Sequence, residues 1–161
     1  MLPRGGTARS AKVAPMTVRA LLDVNVLVAL LDAGHLHHAT ATRWLAAHAK
    51  SGWASCPLTQ NGCLRILSLG SYPNAQPTAV VADRLGRAMA SGHHAFWADS
   101  ISLLEPGVLR WDRVLTSRQI TDTYLLALAA AQGGRLVTFD RGISTEAVPS
   151  ASKRNLVTLG Q

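Results

Sequence analysis

The chain has 161 residues, 48% hydrophobic and 16% charged, with sixteen basic side chains against nine acidic ones and a formal net charge of +7. This length and apolar content fit one domain with a buried core and exclude a disordered polyelectrolyte. No apolar run is long enough to span a membrane, and the basic excess favours a phosphate-bearing or acidic partner.

Residues 1–16, MLPRGGTARSAKVAPM, carry Arg4, Arg9 and Lys12, no acid, and no apolar stretch of signal-peptide length. They read as a disordered tail, or as an upstream extension of a protein that begins at Met16. The folded domain is then expected over 17–161. It remains basic, because the segment set aside removes only three of the sixteen cations. Without an export signal, the expected compartment is the reducing cytoplasm. Cys56 and Cys63, seven apart and without CxxC spacing, read as packing thiols rather than a disulfide or zinc pair.

Thr17 to Asp23 is a short apolar strand ending on an acid. Asn25 to Leu31 follows as a short helix with Asn25 near its cap. A turn at Asp32–Gly34 leads to a helix over Ala39–Lys50. Gly52-Trp53-Ala54 is a second strand. Pro57 opens a helix, its fixed φ suiting a first turn. Residues 70–77 form a loop rich in turn formers, and Thr78 to Ser91 is a helix closed by Gly92. His94 to Trp97 is a third strand, although His93-His94 can also be read as a helix end. Glu105 to Ser117 is irregular or partly helical. Ile120 to Gln132 is a helix ended by Gly133-Gly134, Arg135 to Phe139 a fourth strand, and Leu156 to Leu159 a short fifth. This alternation predicts βαβ units and a parallel sheet of four or five strands covered on both faces.

In such sheets ligands bind beyond the carboxyl ends of the strands. Asp23 ends the first strand and Asp140 the fourth. Asp122 lies in the first turn of the helix leading into that fourth strand. If strands one and four are neighbours, the three acids converge on one edge. Clustered carboxylates repel unless a cation holds them, and oxygen donors of this kind suit Mg²⁺ or Mn²⁺. Each acid alone also has a purely structural reading, as a helix cap or a first-turn acid.

Four blocks sharpen this: L-L-D-V-N-V-L at 21–27, P-L-T-Q-N-G-C-L-R-I-L at 57–67, T-D-T-Y-L-L-A-L-A at 121–129 and G-G-R-L-V-T-F-D at 133–140. In order and spacing they resemble the acidic motifs of PIN-domain ribonucleases, and most closely VapC-type toxins of bacterial toxin–antitoxin systems. The resemblance runs from about Thr17 to the C-terminus. It implies an α/β/α PIN fold, Mg²⁺ or Mn²⁺ dependence, endonucleolytic cleavage of RNA such as tRNA or ribosomal RNA loops, homodimerisation, and inhibition by a VapB-type antitoxin. By motif match, Asp23, Asp122 and Asp140 are the metal-binding and catalytic acids of the first, third and fourth blocks.

The second block departs from the family pattern, with Gln60 where the family usually has Glu. A glutamine keeps one ligating oxygen but no charge, so weaker metal binding is expected. A degenerate domain that binds RNA or antitoxin without cutting is the alternative. Asn25 and Thr138 are candidates to support the site, against plainer roles as a helix cap and a strand residue. Arg65, Arg118 and Arg141 are candidates for RNA backbone contacts. His35, His37 and His38 lack zinc spacing and read as a solvated cluster. Trp44, Trp53, Trp97 and Trp111 could stack on bases, but at least three are expected to pack internally. No GxGxxG or GxxxxGK[ST] is present, which argues against nucleotide folds.

Overall fold

A computed structural model describes residues 18–160; the segment 1–16, expected to be a tail, lies outside them. Five strands form one sheet in the order β3-β2-β1-β4-β5, where β1 is Ala20–Leu22, β2 Trp53–Ser55, β3 His94–Phe96, β4 Arg135–Thr138 and β5 Leu156–Thr158. Every pairing is parallel. Leu21 sits opposite Ala54 on one side and Leu136 on the other, so β1 is the central strand. The sheet is therefore the five-stranded form of the expected architecture.

The strands are apolar throughout because both faces are covered. Alternation divides their side chains between two cores. Ala20, Leu22, Trp53 and Val137 pack with Val26, Leu27, Ala41, Cys63, Leu67 and Val81 on one face. Leu21, Ala54 and Leu136 pack with Leu125, Leu126, Leu128 and Val148 on the other. The first face is closed by α1 (Val24–Leu31), α2 (His38–Ala47), α3 (Pro57–Ser68) and α4 (Thr78–Met89), and the second by α5 (Gln119–Ala131). The result is an α/β/α sandwich. Both cysteines are buried and free within these cores. Among the described residues no helix is long and apolar enough to cross a membrane.

Local chemistry explains the element ends. Cys56 and Thr59 form a reciprocal capping pair at the start of α3, with Pro57 as its first residue. Gly62 lets α3 lie against α1, since a Cβ there would stand 2.8 Å from Val24 Cγ2. After α5, Gly133 takes φ +66°, the left-handed turn that glycine tolerates. The next glycine, Gly134, is hemmed in by Trp97 and the Arg19 carbonyl.

Two boundary expectations change, and a third reading holds. The N-cap of α1 is Asp23, not Asn25: its carboxylate accepts the Val24 amide, while Asn25 is exposed in the first turn. The helix before β3 ends at Met89, so His93 and His94 do not close it; His94 opens β3, and its ring packs against Trp53. The segment between β3 and α5 contains one 3-10 turn, Trp111–Arg113, and is otherwise irregular.

Candidate functional site

Asp23 is the first residue beyond β1. Its Oδ1 accepts the Val24 amide at 2.7 Å, and its Oδ2 accepts the Thr138 hydroxyl at 2.7 Å. The carboxylate is buried, and burial pushes its pKa up. The Thr138 and Val24 hydrogen bonds oppose that rise, and the charge of Asp140 adds to it.

Asp140 lies two residues beyond β4. Its amide donates to Thr138 Oγ1 at 3.0 Å, and its Oδ1 accepts the Gly142 amide at 2.7 Å. Thr138 is thus fully buried and serves both acids, which corrects the plainer expectation of an ordinary strand residue. Asp122 enters from the first turn of α5. Its pKa is pushed up to about 6, first by burial, then by the charges of Asp23 and Asp140 and a hydrogen bond with Asp140. The pairing of β1 with β4 brings the three acids to the same carboxyl edge, as the strand-neighbour condition required.

Asp122 and Asp140 line a cleft of about 260 Å³, with Arg118, Gln119, Ser144 and Ala147 among its other walls. Arg118 therefore stands beside two of the acids. Gln119 shapes the approach, because its Oε1 accepts the amides of Leu115 and Thr116 at 2.6 and 2.9 Å. Among the described residues no group of three His, Cys, Asp or Glu side chains already stands at ligand spacing. The donor set itself fits a hard divalent ion. It offers three carboxylates whose mutual repulsion a cation would relieve, and two of them, Asp23 and Asp122, are shifted toward the neutral form by burial and by neighbouring carboxylates, Asp140 for both.

The other candidates fall in different places. The Gln60 amide nitrogen is engaged by β2 and α4: Nε2 donates to Ser55 Oγ at 2.9 Å and contacts Met89 Sδ at 3.7 Å. Ser55 Oγ in turn bonds His94 Nε2 at 2.8 Å. Arg65 is exposed on an apolar groove between α3 and α4 of about 640 Å³, not on the acid cleft. Arg141 is exposed, and its guanidinium donates to the Gly160 carbonyl at 2.5 Å. The three histidines at 35–38 are not a solvated cluster. His37 stacks on Phe139 with ring centroids 4.6 Å apart, His38 Nδ1 bonds the Ala29 carbonyl, and His35 Nδ1 accepts the His37 amide. Ser55, His94, Gln119 and Ser144 escaped the sequence reading, because their partners are set by strand order and loop course rather than by a local pattern.

This constellation, on this sheet order, defines a class. Residues 20–147 match the family model of the PIN domain, and the chain belongs to that family. It is 47% identical over 142 residues to "Ribonuclease VapC44" of Mycobacterium tuberculosis, covering 88% of this chain and 100% of that protein. It is 43% identical over 129 residues to "Ribonuclease VapC39" of the same organism, covering 80% and 93%. The fold resembles the crystal structure of VapBC2 from Rickettsia felis bound to a DNA fragment from their promoter, with TM-score 0.61 and 15% identity over 88% of this chain and 98% of that one. It also resembles M. tuberculosis VapC20, described as a sarcin-ricin loop cleaving toxin, with TM-score 0.53 and 18% identity over 81% and 99%.

Proposed function

We propose that the chain is a divalent-metal-dependent endoribonuclease, the toxin of a VapBC-like toxin–antitoxin pair. The observation that carries this reading is the convergence of Asp23, Asp122 and Asp140 on one strand edge beside Arg118. The relatives named as ribonucleases over nearly the whole chain support it.

Asp23, Asp122 and Asp140 would hold Mg²⁺ or Mn²⁺. A divalent ion there supplies charge neutralisation at a scissile phosphodiester and acidifies an attacking water. The chain's own residues provide the orientation. Thr138 fixes one Asp23 oxygen and the Asp140 main chain, so two carboxylates are placed relative to each other before substrate arrives. The Gly142 amide holds Asp140 from the far side. Arg118 is placed to receive a phosphate of the backbone, and its fork suits that geometry. Arg141 and Arg65 are further backbone contacts in this reading, Arg65 from a separate groove. The expected partners are a VapB-like antitoxin, a structured RNA and a second copy of the chain, in the cytoplasm.

The test is cleavage of total cellular RNA with Mn²⁺. Fragments that disappear with EDTA or with Asp23→Ala support the reading; fragments unaffected by both overturn it. A second reading, a degenerate PIN domain that binds without cutting, is favoured by the placement of Gln60, whose amide is engaged by Ser55 and Met89. RNA binding by the wild type with no cleavage in Mn²⁺ would select it.

A further inference from the structure

We propose that Trp111 is a base-stacking platform, the specificity subsite next to the acid cleft, which takes one unpaired nucleobase of a single-stranded RNA segment. The proposal rests on the RNA reading above and names a contact outside the carboxylate site.

Of the four tryptophans, Trp53 and Trp97 are buried, at 4% and 8% exposure. Trp44 packs against the first core and is covered by His48, stacked at 4.1 Å, and by the Arg135 guanidinium at 5.2 Å. Trp111 is 49% exposed. A half-exposed indole on a 3-10 turn presents to solvent a rigid aromatic face of the kind on which unpaired bases stack.

Its position is fixed relative to the cleft. The preceding residue, Arg110, donates its amide to the Ala147 carbonyl at 2.9 Å and its guanidinium to the Glu146 carbonyl at 3.2 Å. Arg113, two residues on, pairs with Glu146 at 3.6 Å. Ala147 is itself a wall of the cleft that holds Asp122 and Asp140. The turn bearing Trp111 is therefore tied to the cleft wall, with Arg110 and Arg113 close to Trp111 in sequence and Arg118 at the cleft.

That charge pattern selects the occupant. An exposed indole beside Arg110, with Arg113 held by Asp112 and Glu146 at 3.6 Å each and Arg118 lining the adjoining cleft, suits a single strand whose base stacks while its phosphates track Arg110 and Arg118. A second copy of the chain or an acidic segment of an antitoxin would use the same surface differently, and both are outcomes of the test.

The experiment measures binding in EDTA, where no turnover occurs, of a labelled twelve-nucleotide single-stranded RNA of mixed sequence, the same strand carrying one abasic position in turn, and its duplex. RNA is expected to quench the wild-type tryptophan fluorescence. Trp111→Ala is expected to bind the single strand about tenfold more weakly and lose the quenching, with Trp111→Phe recovering most of the affinity. One abasic position should weaken wild-type binding but not that of the alanine variant, and the duplex should bind both proteins equally. Equal affinity of wild type and Trp111→Ala for the single strand overturns the proposal. So does a change of oligomeric state in Trp111→Ala, which would place the indole between copies, or loss of antitoxin binding with RNA binding intact. If the wild type fails to cut RNA in Mn²⁺ yet keeps Trp111-dependent quenching, the platform stands and the nuclease reading falls.

Discussion

The Thr138 hydroxyl donates to Asp23 Oδ2 at 2.7 Å, joining residues 115 apart in sequence across the β1–β4 pair. The same oxygen accepts the Asp140 amide, so one buried hydroxyl serves two acids. Thr138→Val keeps the shape and removes both contacts. It strands a buried carboxylate oxygen and a backbone N–H, a loss of about 1–3 kcal/mol of stability. Thr138→Ser should restore most of it. Denaturant melts of the three proteins, read beside Mn²⁺-dependent RNA cleavage, check this. Cleavage should fall with Val and return with Ser.

Asp122 gives a prediction of opposite sign. Its folded pKa of about 6 lies above its unfolded value of 3.8, so the folded state holds the proton more tightly. Its contribution to stability is full below pH 3.8 and is lost as pH rises through about 6. At pH 7 the ionised group is therefore a penalty in the metal-free protein. Asp122→Asn should raise metal-free stability at pH 7 by about 1 kcal/mol, a figure reduced for solvent screening of a half-buried group. The gain should vanish near pH 3.5. Thermal melts in EDTA across pH 3.5–8 measure it, and RNA cleavage should be lost in the same variant. Adding Mn²⁺ should raise the melting temperature of the wild type and leave that of Asp122→Asn nearly unmoved.

Gln60→Glu tests the second motif. A carboxylate that swings from Ser55 toward the acids should tighten Mn²⁺ binding several-fold, as measured by calorimetry. Unchanged affinity would place residue 60 on the Ser55–His94 side, outside the reach of the ion.

Far from the cleft, Asp32 anchors the loop after α1. Its carboxylate is buried and accepts Tyr72 Oη at 2.5 Å, Asn74 Nδ2 at 2.9 Å and the Gly34 amide at 2.9 Å. The Tyr72 bond is the first cause of a pKa held below the usual carboxylate value. Stability from a depressed carboxylate is present above the unfolded pKa of 3.8 and lost as pH falls through the folded one. Tyr72→Phe should cost about 1–2 kcal/mol at pH 7, and the difference from wild type should shrink as pH falls below the unfolded value of 3.8. RNA cleavage at neutral pH should be retained at a temperature where both proteins are folded.

Gly62 supplies a packing test. A methyl at this position meets the stiff, branched Val24 side chain at 2.8 Å. Gly62→Ala should therefore destabilise by about 1–3 kcal/mol, and Val24→Ala in the same chain should recover part of the loss. A double-mutant cycle from urea melts reads the coupling.

Much of this architecture is legible along the chain. The alternation of apolar strands with helices, the breaks at Pro57 and Gly133-Gly134, and acids at two strand ends are local signals, and the parallel sheet follows from them. What was not legible depends on strand order. Thr138 looks like any β-branched strand residue until β4 is laid beside β1. Gln60 looks like a member of the acid cluster until Ser55 on β2, itself bonded to His94 on β3, accepts its amide nitrogen. Arg65 is one turn from Gln60, yet it points to the groove between α3 and α4, because the far side of a helix is a different surface. The histidines at 35–38 look solvated until Phe139 and the Ala29 carbonyl are brought against them. Asp23 is both a cap and a member of the acid cluster, since its two oxygens let it cap α1 and reach Thr138 at once.

The order of assembly has a consequence for synthesis. β1 occupies the middle of the sheet, but its neighbour β4 spans Arg135–Thr138, and Asp140 follows that strand. When β1, β2 and β3 have been synthesised, the partner that Asp23 meets in Thr138 has not yet been made. Only when residues beyond 140 have cleared the exit tunnel can β4 slot in and the carboxylates meet. A product interrupted before β4 would therefore carry Asp23 without Thr138 and Asp140, the two residues that complete its surroundings.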